Sequence, residues 1–172
     1  MRLKIIYLVI LLMGCCLQSC VSDEIDDGTI LIPGDELPDF SVTLNDGSVV
    51  SYKSLEGKVG VLVFFNTDCP DCQEELPVVE QLWQKYKDNQ NVVIAAISRE
   101  EGAKEIEEYW SLNGLSIPWS AQENRKVYNK FASSSIPRIF ISNPERVIVD
   151  TFADVLLPSF QDLDFAVYNT LP

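Results

Sequence analysis

A pair of cysteines between a buried strand and a helix constrains this chain more than any other feature. The run VGVLVFF at residues 59–65 is apolar and of strand length, which is typical of a central strand buried on both faces. Cys69 and Cys72 follow it, and apolar residues at helical spacing continue to residue 87. The N-terminus of a helix stabilises a thiolate on the first of two such cysteines. The sequence therefore predicts an exposed attacking thiol at Cys69 and a more buried resolving thiol at Cys72.

The remaining segments follow an α/β order. The turn residues Asn45, Asp46 and Gly47 predict an N-terminal β-hairpin. Beyond the cysteine pair, the pattern predicts a helix over 70–87 kinked at Pro77, strands over 91–97, 138–142 and 146–152, and helices over 103–112, 121–131 and 159–169. Ser120 is the expected N-cap of the helix over 121–131.

The first nineteen residues are typical of a secretory signal. A short basic start precedes an apolar run over residues 5–13, which is about half the length that a membrane-spanning helix needs. The end of the signal reads LQSC at residues 17–20, which resembles a bacterial lipobox and predicts a lipid on Cys20; a plain secretory signal is the alternative. We therefore expect a signal peptide over 1–19, an acidic tether over 20–33 and one folded domain over 34–172. The acidic stretch SDEIDD resembles the export tags of some surface lipoproteins.

The cysteine count excludes most other uses of the pair. Of five cysteines, Cys15 and Cys16 leave with the signal and Cys20 takes the lipid, so only the pair remains. A disulfide between residues three apart restrains the unfolded chain little, so a structural disulfide explains little. The chain contains no histidine, which leaves too few ligands for a closed zinc site and excludes attachment of c-type haem. We therefore expect neither a metal nor a cofactor.

The net charge also argues against nucleic acid and anionic lipid surfaces as partners. The chain has 13 basic and 26 acidic residues, and removing Arg2 and Lys4 with the signal leaves 11 against 26, a net charge of −15. Such a surface repels nucleic acid and anionic lipid.

From about residue 34 to 154 the chain resembles the thioredoxin superfamily, and in particular its TlpA/ResA-type branch of membrane-tethered thiol-disulfide oxidoreductases. The resemblance rests on GDELPDF, on FFNTDCPDCQEELP and on Ile136-Pro137 ahead of RIFIS. It implies a thioredoxin-like fold, with a central mixed β-sheet flanked by helices and an N-terminal β-hairpin.

The resemblance also implies roles for residues around the pair. It implies that Pro137 is cis and lies against the cysteines, so that Ile136, Pro137 and Pro70 form the substrate-binding surface. It implies that Glu75 handles a proton of the pair, giving Cys69, Cys72 and Glu75 as the candidate catalytic residues. An exposed helical glutamate is the alternative at position 75.

Acidic residues beside the pair indicate the direction of electron flow. Asp68, Asp71, Glu74 and Glu75 disfavour a nearby thiolate, which favours the disulfide and makes the dithiol a better electron donor. We therefore expect a lipid-anchored reductant in the bacterial cell envelope, facing the periplasm or exposed at the surface. Its expected partners are exported proteins with disulfides, apocytochrome c being one candidate, and a membrane thiol-electron donor.

Two alternatives stay open. A thioredoxin-fold peroxidase is disfavoured because Asn66 stands three residues before Cys69, where peroxiredoxins carry threonine or serine. The other is a non-catalytic envelope binding lipoprotein whose cysteines are a relic.

Overall fold

The computed structural model of the protein describes residues 30–172. The predicted signal peptide, most of the predicted tether and Cys20 lie outside the described residues. In chain order the elements are β1 (Ser41–Thr43), β2 (Val49–Ser51), β3 (Val59–Phe65), α1 (Pro70–Tyr86), β4 (Val92–Ser98), α2 (Ala103–Asn113), β5 (Trp119–Ser120), a 3-10 turn (Tyr128–Lys130), β6 (Arg138–Ser142), β7 (Ile148–Ala153) and α3 (Phe160–Thr170). Over residues 30–172, every helix is too short or too polar to cross a bilayer.

A five-stranded mixed sheet forms the centre of the fold. Its strand order is β5-β4-β3-β6-β7; β3 is parallel to β4, and β6 is antiparallel to β3 and β7. The strands β1 and β2 form a separate antiparallel hairpin whose turn contains Gly47 at a φ of 84°, a conformation that favours glycine. The predicted mixed sheet and N-terminal hairpin are therefore confirmed.

The central strand β3 carries the cysteine pair to one edge of the sheet. All seven of its residues are buried, as its unbroken apolar sequence predicts. Its last residues lie opposite the end of β4 and the start of β6, with Phe65 facing Ser98 and Phe64 facing Arg138. Loops that leave β3 and β4 and the loop that enters β6 therefore meet at this edge.

Helix α1 begins directly after Cys69, which is its N-cap residue. Pro70 occupies the first turn, where the missing backbone donor costs nothing. Pro77 lies inside the helix, which continues as a single element to Tyr86. The last helix, α3, begins with a capping box in which Ser159 and Asp162 bind each other's backbone N–H groups.

The helix predicted over 121–131 is wrong. Ser120 is not an N-cap; it belongs to the short strand β5, and its hydroxyl donates to the carbonyl of Thr43 at 2.7 Å. Gln122 N donates to Ser98 Oγ at 2.7 Å, so tertiary hydrogen bonds hold the backbone where the helix was expected. Only the 3-10 turn over Tyr128–Lys130 forms, and it buries the Tyr128 ring against Phe64 with 5.3 Å between centroids.

Candidate active site

The two cysteines are free thiols with different exposure. Cys69 is half-buried and Cys72 is fully buried. The backbone N–H of Cys72 donates to Cys69 Sγ at 3.4 Å, so the first thiol takes the place of an N-capping side chain. A thiolate at this position is stabilised by the unpaired N–H groups of the first turn. The asymmetry expected of an attacking and a resolving thiol is present.

The loop that enters β6 lies against the pair. The peptide bond between Ile136 and Pro137 is cis, as the family resemblance implies. The thiol of Cys69 donates to the carbonyl of Ile136 with 3.6 Å between sulfur and oxygen. Ile136 and Pro137 are both buried, whereas Pro70, the residue after Cys69, is exposed. The role of these three residues in binding a client stays a prediction.

Glu75 is buried beneath the pair on helix α1. Its side chain is 2% exposed, and neither carboxylate oxygen has a hydrogen-bond partner within residues 30–172. This burial raises the pKa of Glu75 to about 8. The structure therefore does not place an exposed helical glutamate at this position. An unpaired buried carboxyl costs stability, which is typical of a group kept for a chemical role.

Burial also shifts the pKa of the second thiol. It raises the pKa of Cys72 well above its ordinary value; the hydrogen bond with Cys69 and the negative charge of Glu75 raise it further. A carboxyl whose pKa has moved to about 8 is a better matched proton acceptor for a thiol than an ordinary glutamate. Cys72 and Glu75 thus form a buried pair of acids whose protons influence each other.

Three of the four acidic residues predicted to disfavour a thiolate lie on the surface, and only Glu75 is buried. Asp68, Asp71 and Glu74 are all exposed, and the Asp68 backbone N–H donates to Asn66 Oδ1 at 2.9 Å. Charges that face solvent are screened, so each acts weakly on the cysteines. The main cause of the raised pKa of Cys72 is burial, a cause that the sequence argument did not include.

A buried network that the sequence analysis missed holds the loop before Cys69. The Thr67 backbone N–H donates to Glu101 Oε2 at 2.9 Å, and the Thr67 hydroxyl donates to the other carboxylate oxygen. Gln73 Nε2 donates to the Thr67 carbonyl at 2.7 Å. Glu101 is only 8% exposed, although it lies in a run of charged residues just before α2. The network fixes the backbone from which Cys69 projects.

Metal ligands do not cluster in the described part of the chain. Between residues 30 and 172 no three side chains of the histidine, cysteine, aspartate or glutamate type come together as a metal-binding group.

Comparison with known proteins places the chain in a family. Residues 33–151 match the AhpC/TSA family. The ResA thiol-disulfide oxidoreductase of Bacillus thuringiensis (strain Al Hakam) is 28% identical over 117 residues, covering 68% of this chain and 67% of the relative. The ResA protein of Bacillus subtilis (strain 168) is 25% identical over 160 residues, covering 90% and 89%.

Solved structures agree with these relatives. The solution structure of a proposed protein disulfide isomerase from Bacteroides thetaiotaomicron superposes with a TM-score of 0.77 at 30% identity, covering 84% of this chain and 92% of that one. A thiol:disulfide interchange protein from Chlorobium tepidum shares the fold with a TM-score of 0.69 at 23% identity, covering 84% and 100%. The chain therefore belongs to the AhpC/TSA family, on the thioredoxin fold, and is similar to the ResA thiol-disulfide oxidoreductases.

Proposed function

We propose that the protein is a lipid-anchored reductant of protein disulfides in the bacterial cell envelope. The observation that carries the proposal is the arrangement of the two thiols: Cys69 half-buried at the start of α1 and against the Ile136 carbonyl, Cys72 buried behind it. One thiol can be reached by a client, and the other can be reached only by the first.

The exchange proceeds in two steps. The Cys69 thiolate attacks one sulfur of the client disulfide, forming a mixed disulfide and releasing the other client sulfur as a thiolate. The Cys72 thiolate then attacks the sulfur of Cys69, closing the Cys69–Cys72 disulfide and releasing the second client thiol. Two electrons and two protons pass to the client in total. A membrane dithiol donor must then reduce the protein's own disulfide again.

Glu75 is proposed to accept the proton of Cys72 in the second step. The thiol must ionise in a buried site where its charged form is disfavoured, and Glu75 is the ionisable group whose charge acts on it from the same helix. Its pKa of about 8 leaves a minor ionised fraction at neutral pH, and this fraction can accept the proton. The carboxyl that results is neutral, so it places no second negative charge beside the new thiolate.

The anchor and the location are proposed from the N-terminal sequence. LQSC ends the signal at Cys20, and a lipid there would hold the domain at the membrane by the tether. Mass spectrometry of the N-terminal peptide from the membrane fraction tests this: a diacylated Cys20 supports it, and an unmodified soluble protein contradicts it.

Insulin reduction tests the activity. The dithiol form of the protein should reduce insulin disulfides and form its own disulfide in equal amount. Activity toward hydrogen peroxide, without activity toward insulin, would favour the peroxidase alternative. Activity toward neither substrate would favour a binding lipoprotein. Apocytochrome c peptides containing a disulfide are the candidate clients to assay next.

Replacing Asp71 with asparagine should raise the reduction potential of the pair slightly. The carboxylate is exposed on the first turn of α1, so we expect its interaction with a thiolate to be worth below about 1 kcal/mol, or on the order of 10 to 20 mV for this two-electron couple. The potential is measured by equilibration with glutathione buffers, with Asp88→Asn, after the end of the same helix, as the control. An unchanged potential in Asp71→Asn would remove the electrostatic argument for a reductant.

A further inference from the structure

Three arginines gather on one side of the active site. Arg99 follows β4, Arg125 lies in the loop before the 3-10 turn and Arg138 begins β6; we call them the arginine cluster. The Arg125 guanidinium lies 5.6 Å from the centre of the Tyr128 ring. Burial raises the pKa of Tyr128, and the positive charges of the cluster oppose that increase. Three separate segments of the chain therefore direct positive charge to one place.

Hydrogen bonds connect the cluster to the attacking cysteine. Arg138 Nε and the Tyr128 hydroxyl both donate to the carbonyl of Ser135, at 3.0 and 2.6 Å. The next residue is Ile136, whose carbonyl is 3.6 Å from Cys69 Sγ. The cluster therefore lies beside the loop that contains the cis proline.

The charge of the cluster is only partly neutralised. Glu100 forms an ion pair with Arg99 at 2.9 Å and lies 3.9 Å from Arg125. Arg138 makes no ion pair with any residue in the range 30–172. Its other hydrogen bonds are to the hydroxyls of Ser134 and Ser135. The Asp154 carboxylate accepts from the Ser135 hydroxyl at 2.9 Å and forms no ion pair with the three arginines, so positive charge still exceeds negative charge here.

Such an excess is unusual for this chain. Acidic residues outnumber basic ones by 26 to 13, yet an arginine next to the cis proline has only neutral partners. The side chains of Arg99 and Arg125 keep 24% and 36% of their surface exposed, so the cluster is open to a ligand. Guanidinium groups bind carboxylates through paired, charge-assisted hydrogen bonds. The exposed Asp68, Asp71 and Glu74, which flank the cysteines in sequence, repel the same group.

We propose that the arginine cluster binds an aspartate or glutamate of the client next to its disulfide, so that the protein selects clients with an acidic residue on that side. The inference rests on the proposed function, because it concerns the substrate of the same thiol pair. An overall acidic protein repels acidic clients at long range, so this local attraction would act mainly by orienting the client once it reaches the site.

The test uses a series of disulfide peptides that differ at one position. Each fluorogenic peptide is identical except for the residue beside one cysteine, which is Glu, Gln or Lys. The second-order rate constant for its reduction by the dithiol form of the full chain is measured. At low salt we expect the Glu peptide to be reduced about three to ten times faster than the Gln peptide, with the Lys peptide slowest. The ratio should approach one at high salt, because salt screens exposed charges.

Substitutions of single arginines identify which side chain causes the faster reduction of the Glu peptide. Arg138→Gln should lose most of the ratio between the Glu and Gln peptides, whereas Arg138→Lys should keep much of it because the charge remains. Arg125→Gln, farther from the cis proline, should reduce the ratio without removing the contact between Arg138 and Ser135. Arg146→Gln is the matched control, because Arg146 pairs with Glu56 near the opposite end of β6.

The outcomes separate the two proposals. Equal rates for the Glu and Gln peptides in the wild type, or an unchanged ratio in both Arg138→Gln and Arg125→Gln, would overturn the inference and leave the reductase function standing. Failure to reduce any of the three peptides would overturn the function and the inference together. An equal loss of ratio in Arg146→Gln would also overturn the inference, because it would show a general effect of charge.

Discussion

Replacing Cys69 with serine should abolish insulin reduction, whereas replacing Cys72 with serine should trap the client on the protein. Cys69 is the thiol that a client can reach, and it lies at the N-cap of α1, a position typical of reactive cysteines. A serine hydroxyl does not attack a disulfide, so the rate should fall by at least about a thousandfold, to the uncatalysed level.

The two variants differ in which step they stop. Cys72→Ser keeps the attacking thiol and lacks the resolving one, so a mixed disulfide between Cys69 and the client should accumulate. Non-reducing gels and mass spectrometry detect this species, and added dithiothreitol should reduce the mixed disulfide and release the client. Substantial activity in Cys69→Ser, or a mixed disulfide formed through Cys72 instead, would contradict the assigned order of attack.

Glu75→Gln should slow the second step of the exchange. Glutamine keeps the shape of the side chain but cannot accept the proton of Cys72. General base catalysis typically contributes about a hundredfold or more, and water can substitute in part, so we expect a loss of about 10- to 100-fold at pH 7. Rapid-quench measurement of mixed-disulfide decay reports this step separately from the first attack.

The same substitution should change how stability depends on pH. Burial raises the pKa of Glu75 from 4.5 to about 8, so between these values the folded protein holds a proton that the unfolded chain has released. Its stability therefore falls as pH rises through this range. Relative to Glu75→Gln, the wild type should lose on the order of 3 kcal/mol of unfolding free energy between about pH 5 and pH 8.

Urea denaturation of both proteins at several pH values measures this difference. Glu74→Gln is the matched control, because it removes the same charge from the adjacent exposed position on α1. It should follow the wild type in both stability and activity. Parallel pH dependence in the wild type and Glu75→Gln would mean that the carboxyl titrates normally, and the proposed proton transfer would lose its basis.

The sequence predicted those parts of the site that depend on local patterns. The unbroken apolar run of β3 and the position of the cysteines at the start of a helix determine where the thiols lie. The burial of Glu75 was also accessible, because positions 72, 75, 79 and 82 share one face of α1 and the other three are apolar. Because Glu75 lies on this apolar face, the sequence favoured a buried carboxyl over an exposed one.

The parts that were missed depend on distant contacts. Thr67 and Glu101 are 34 residues apart, and no local pattern indicates that their side chains meet under the cysteine loop. The helix expected over 121–131 failed for a similar reason, since Ser98 and Thr43 bind the backbone and side chains at its start. The cis bond before Pro137 could be expected only from the family resemblance, because a proline before a strand is ordinarily trans.

The equilibrium reduction potential of the Cys69–Cys72 couple tests the central claim most directly. It is measured in the chain from Ser22 onward, which contains all the described residues and no other cysteine, by equilibration with defined thiol buffers. The proposed reductant predicts a value near or below the roughly −270 mV of thioredoxin. A value near the roughly −120 mV of DsbA would contradict the proposed reductant. Such an oxidising couple would accept electrons from clients rather than supply them.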